Sequence, residues 1–181
     1  MSTPARHVAS LATSALPGSR AMRAILAGGL LGGAFDITYA CVVWGFRGVS
    51  PIRVGQSVAA GLLGREAAVA GGVPTGLLGF ALHFGIALIM AAVYYAAASR
   101  VPLLVKRATI CGPIYGLGLY LVMNYIVLPL SAIGRAGGNG PWYLVLPEIA
   151  VHMFLVGLTM ALFTRRALAG SAQREAIARS E

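Results

Sequence analysis

The stretch Thr75–Ala98, TGLLGFALHFGIALIMAAVYYAAA, decides the fold. No Lys, Arg, Asp or Glu interrupts it. It exceeds the roughly 20 apolar residues that a helix needs to cross a bilayer. It lacks strand alternation, and in hydrocarbon a helix satisfies its own backbone groups. The reading is therefore a membrane-spanning helix that carries one imidazole, His83.

Three more runs of the same kind follow on scanning outward: about 23–45 (RAILAGGLLGGAFDITYACVVWG), about 108–130 (ATICGPIYGLGLYLVMNYIVLPL) and about 143–164 (YLVLPEIAVHMFLVGLTMALFT). The composition agrees. The chain is 58% hydrophobic and 10% charged, with a mean hydropathy of +0.80, where a soluble domain carries roughly 25% charged residues. The fold class predicted is all-α: a four-span transmembrane bundle over 23–166. Residues 1–22 and 167–181 read as disordered cytoplasmic tails, and the N-terminal stretch lacks the continuous apolar core of a cleaved signal peptide.

The net charge of +9 does not point to nucleic acid, because the basic residues sit at the ends of the apolar runs rather than in a patch. Arg6, Arg20, Arg23, Arg100, Lys106, Arg107, Arg165, Arg166, Arg174 and Arg179 fall on one side of a four-span bundle. Arg47, Arg53, Arg65 and Arg135 fall on the other. Ten against four puts both termini in the cytoplasm. Cys41 and Cys111 fall at different depths, too far apart for a disulfide.

The long first connection carries a further helix, about 51–70. Ser50 is placed to cap it, Pro51 opens it, and Gly71-Gly72 can end it. Val54, Val58 and Leu62 recur at helical spacing, with Arg53, Gln56 and Arg65 elsewhere on the wheel. Such a helix lies on or dips into the outer face, or acts as a lid over the bundle. The short connection before the fourth run, Gly137-Gly138-Asn139-Gly140-Pro141, reads as a tight turn. Trp142 and Tyr143 after it, and Trp44 at the end of the first run, read as interfacial anchors.

Small residues mark close helix contacts. Gly28/Gly32, Gly29/Gly33 and Gly112/Gly116 are G-x-x-x-G pairs, usable within the chain or between protomers. The glycines of the first and third runs, and His83 aligned with His152, form a faint repeat that a duplicated helical hairpin would explain.

Five polar side chains fall inside the spans: Asp36, His83, Asn124, Glu148 and His152. At about 1.5 Å rise per residue they occupy one slab, from mid-membrane to the outer third. An Asp at a helix centre costs about 2.5–3.5 kcal/mol to insert, so it faces the bundle interior. Glu148 and His152, at i and i+4, share a helix face. Three readings stand: buried pairs that fix packing, a proton- or ion-linked pathway, and a metal site. No G-x-S-x-G, P-loop or H-E-x-x-H sequence occurs, and Glu-x-x-x-His is not the di-iron spacing. No cofactor is expected. The favoured reading is a small proton- or ion-linked transporter or channel, assembled as a homo-oligomer in the bilayer. The alternative is a structural or partner-binding subunit.

The C-terminal third, Pro141-Trp142-Tyr143, then PEIAVH at 147–152, then an apolar run ending in Arg165-Arg166, resembles the end of the YagU-type family of small bacterial inner-membrane proteins. GFALHFGIALIMAAVYYAAASRVP, at 79–102, resembles the middle helix of that family. The resemblance implies a multi-span bacterial inner-membrane protein whose molecular activity is not established, with Glu148 and His152 in a recurring motif.

Overall fold

A computed structural model describes residues 17–135, 137–138 and 140–178, with side chains described for 18–135, 137, 138 and 140–170. The described residues are mostly helical and contain no strand. Four helices are long and apolar enough to cross a membrane: Gly18–Gly45, Gly72–Ala98, Ala108–Leu130 and Trp142–Gly170. Only 22–28% of each span's most apolar window is buried. Large apolar side chains such as Leu77, Ile89, Ile114 and Leu146 point outward. Side chains of that kind on the outer face of four helices require lipid rather than water as their surroundings.

Glycine sets the packing. The first span offers two glycine ridges to two neighbours. Gly28 and Gly32 lie against Met160 and Val156 of the fourth span, and Gly29 and Gly33 lie against Leu88 and Ala87 of the second. On the third span, Gly112 and Gly116 receive the backbone of the fourth at Gly157–Leu158 and His152–Met153. The second and third spans lack such a seam. They share a cluster in which Ala87, Ala91 and Leu119 pack with Val156 and Met160 of the fourth span, and the Tyr115 hydroxyl donates to the Met90 carbonyl at 2.8 Å. The packing of the first span on both sides has no counterpart in the third, so the two hairpins are not packed alike.

The helix of the first connection is two helices. Pro51–Leu63 begins with Ser50 Oγ accepting from the Arg53 amide at 3.4 Å, and ends at Gly64. Gly64 has φ +79°, a conformation that a residue with a Cβ rarely takes, and this breaks the expected continuous helix. Arg65–Ala70 then leads into the second span. Pro51–Leu63 docks on protein: Gly55 touches Gly76 and Gly79 backbone to backbone. Gln56, off the Val54, Val58 and Leu62 stripe of the wheel, is buried and donates to the Gly72 carbonyl at 2.8 Å. Further on, the Gly61 carbonyl accepts from the Ala132 amide at 2.9 Å, just past the third span. The helix therefore bridges the second and third spans where these lack a seam.

Helix extends into both stretches that were expected to be tails. The first helix begins at Pro17 and the last runs to Ala178. Pro suits a first helical position, and the Arg20 guanidinium donates to the Gly170 carbonyl at 3.2 Å, which ties the two extensions together. The tail residues 1–16 and 179–181, and Asn139 of the last connection, lie outside the described residues. Cys41 and Cys111 are free thiols.

Candidate functional site

Two prolines and two π-turns build the site. Pro129 has no N–H to donate to the carbonyl five residues back, Asn124. The backbone at Met123–Val127 is π-helical, and the Leu128 amide bonds Met123 instead of Asn124. The freed Asn124 carbonyl accepts from the Gly137 amide at 3.0 Å, which folds the last connection back onto the bundle. In the fourth span, Pro147 precedes a second π-turn, His152–Gly157. That turn is the segment received by Gly112 and Gly116. Each π-turn adds one residue to a helical turn and re-aims the side chains around it.

All five intramembrane polar residues line one cavity of about 510 Å³: Asp36, His83, Asn124, Glu148 and His152. The cavity lies at the end of the bundle away from the described chain ends. Trp44, Tyr39, Leu82, Ile86, Met90, Met123 and Leu128 supply much of its apolar wall. Ser57, Val58, Gly61 and Leu62 of the bridging helix close it on the side where the second and third spans part. Val58 and Leu62 of that helix thus form part of the cavity wall.

The pairing differs from simple side-chain clasps. His152 Nδ1 lies 3.0 Å from the Glu148 carbonyl, and a carbonyl only accepts, so Nδ1 carries a proton. The same nitrogen is 3.7 Å from Asp36 Oδ1. His83 Nε2 donates to the Gly33 carbonyl at 2.9 Å, one turn before Asp36 on the first span. Asp36 therefore partners His152 rather than His83. Glu148 contacts His152 through its backbone, and its carboxylate makes no hydrogen bond or ion pair among the described residues. Asn124 donates through Nδ2 to the Tyr120 carbonyl at 3.0 Å. The Tyr120 ring packs edge-on against His152, with 5.5 Å between ring centroids. Its buried hydroxyl has no partner among the described residues.

Trp44 both lines the cavity and carries Arg47, whose guanidinium carbon lies 5.6 Å from its ring centroid. Trp142 and Tyr143 are exposed and pack edge to face at the start of the fourth span. Among the described residues no three His, Cys, Asp or Glu side chains converge as a metal-ligand set, so the metal reading has no geometry behind it. Sequence reasoning missed Ser57 and Ser131, which also line the cavity. It also missed the double role of Trp44. The helical spacing of Val54, Val58 and Leu62 was the available signal for the bridging helix. No protein-family model, curated protein or solved structure matches this chain. The fold is that of a four-span helical membrane protein with a largely apolar cavity that carries a few polar side chains.

Proposed function

We propose that the chain is a small proton-linked transporter of the bacterial inner membrane, with both termini in the cytoplasm and its cavity toward the outer face. The observation that carries this is the convergence of two carboxylates and two imidazoles on one cavity within apolar spans. Carboxylates in hydrocarbon must be neutralised, by a proton or by a bound ion. A site that alternates between the two couples proton movement to solute movement. Asp36 and Tyr39 come to this site from the first span, His83 from the second, Asn124 from the third, and Glu148 and His152 from the fourth. The Gly seams and π-turns supply helices whose backbone hydrogen bonds can shift register. The resemblance to the YagU-type proteins supports the membrane placement, and the ten-to-four bias of basic residues supports the orientation. The apolar outward faces accommodate lipid and a second copy, and we extend the proposal to a homo-oligomer in which each chain holds its own cavity.

The test is proton flux in proteoliposomes containing a pH-sensitive dye, with a panel of small cationic, neutral and anionic solutes added outside. The expected result is a solute-evoked flux that Glu148→Gln and His152→Ala abolish while the variants remain helical and monodisperse. Wild-type vesicles indistinguishable from protein-free vesicles across the panel would refute transport. A packing role is the second reading. It is favoured by the two histidines each donating to a backbone carbonyl, and it gains if the same variants unfold.

A further inference from the structure

We infer that the cavity binds a small organic cation, a protonated amine carried on an apolar body. The inference names the substrate class of the transport reading and rests on that reading for its role in flux.

Charge comes first. Asp36 and Glu148 are the acidic groups of the wall, and no Lys or Arg lines it. The nearby Arg47 is held at the rim, donating to the Val43 carbonyl at 3.0 Å and lying over Trp44. The proton that each histidine needs for its backbone hydrogen bond is present in the neutral ring, so neither has to be cationic. With ionised carboxylates and neutral imidazoles the wall is anionic. Asp36 has an imidazole N–H nearby, but the Glu148 carboxylate has no protein partner among the described residues. A carboxylate so placed in a low-dielectric wall is a counter-ion in need of a cation.

Shape and polarity decide what kind of cation. A cavity of about 510 Å³ lies within the roughly 300–1,000 Å³ range of small-molecule sites. A bare metal ion would leave that volume unfilled, and the side chains do not form a metal-ligand set. Most of the wall is apolar, with Trp44 among its aromatic members, and such a wall favours a hydrophobic body over a hydrated one. An ammonium group also donates hydrogen bonds, which the acceptor-only Glu148 carboxylate can take.

The test is a matched set of ligands sharing one body. Tryptamine, 3-ethylindole and indole-3-propionate carry a cationic, a neutral and an anionic group on the same ring. Binding to the full chain in phosphatidylcholine nanodiscs is measured by equilibrium dialysis, with protein-free nanodiscs subtracted to remove partition into lipid. Saturable binding of one tryptamine per chain is expected, at least tenfold tighter than 3-ethylindole, with no saturable binding of indole-3-propionate. Glu148→Gln is expected to weaken tryptamine at least tenfold and to leave 3-ethylindole unchanged. Equal binding of tryptamine and 3-ethylindole, preference for the anion, or an unchanged Glu148→Gln affinity would each overturn the inference. The wild-type comparison needs no variant to fold. Selective tryptamine binding without flux would leave the cation site standing and remove transport. Flux evoked only by neutral or anionic solutes would do the reverse.

Discussion

Gly116→Ala and Gly118→Ala form a matched pair that measures how tightly the third and fourth spans are fitted. Both glycines lie in one helix, two residues apart. In both, a methyl group gains the same helix propensity, about 0.5–1 kcal/mol. The surroundings differ. A Cβ on Gly118 meets nothing within 4 Å. A Cβ on Gly116 meets the backbone of the second π-turn, 2.6 Å from the His152 carbonyl carbon and 2.7 Å from Met153 Cα. Ordinary contact begins near 3.4 Å, so the helices must part by close to an ångström, and backbone cannot rotate away as a side chain does. Overpacking of this kind costs about 1–3 kcal/mol, and the backbone location puts it at the upper end. Gly118→Ala is expected to be neutral or slightly stabilising. Gly116→Ala should destabilise by about 2 kcal/mol net of the helix gain. The assay is reversible unfolding of the purified protein in mixed micelles by increasing mole fraction of SDS, followed by circular dichroism. Because the displaced backbone carries His152, the 3.7 Å approach to Asp36 should open, and the solute-evoked flux of the wild type should fall in Gly116→Ala alone. Equal stabilities for the two variants would refute the glycine-seam account.

Gln56→Ala removes the buried amide that holds Pro51–Leu63 to the Gly72 carbonyl. It should cost about 1–3 kcal/mol and increase proteolysis at the Gly64 break, read by limited digestion of right-side-out vesicles. Tyr115→Phe removes the hydroxyl donor to Met90 between the second and third spans. Intramembrane hydrogen bonds average about 0.6 kcal/mol, so a small but measurable loss in the same SDS titration is expected, with no change in tryptamine binding.

The sequence was sufficient for the membrane fold because a span announces itself locally. Length, apolarity and the absence of charge are properties of one segment, and Thr75–Ala98 states them without reference to any other part of the chain. Helix capping at Ser50-Pro51 is local in the same way and appears in the structure with its hydrogen bond. The glycine pairs were visible too, but which neighbour each ridge receives was not. Gly28/Gly32 and Gly29/Gly33 differ by one position, about 100° of rotation, and only the packed bundle shows that one ridge meets the fourth span and the other the second.

The polar layer divides along the same line. That Asp36, His83, Asn124, Glu148 and His152 occupy one depth follows from counting residues along helices of known rise. That all five face one cavity depends on rotation, and the two π-turns alter rotation in a way that ideal helical periodicity does not anticipate. The i,i+4 spacing of Glu148 and His152 suggested a side-chain pair. The imidazole takes the backbone carbonyl instead and approaches Asp36 from another helix, which leaves the Glu148 carboxylate without a protein partner. A helical wheel sets Gln56 apart from the Val54, Val58 and Leu62 stripe, but it does not show the neighbouring backbone carbonyl to which the buried amide donates. Composition and segment length thus determined the solvent and the number of spans. Tertiary structure decided which polar atoms were left without a partner, because that depends on contacts between helices far apart in the chain.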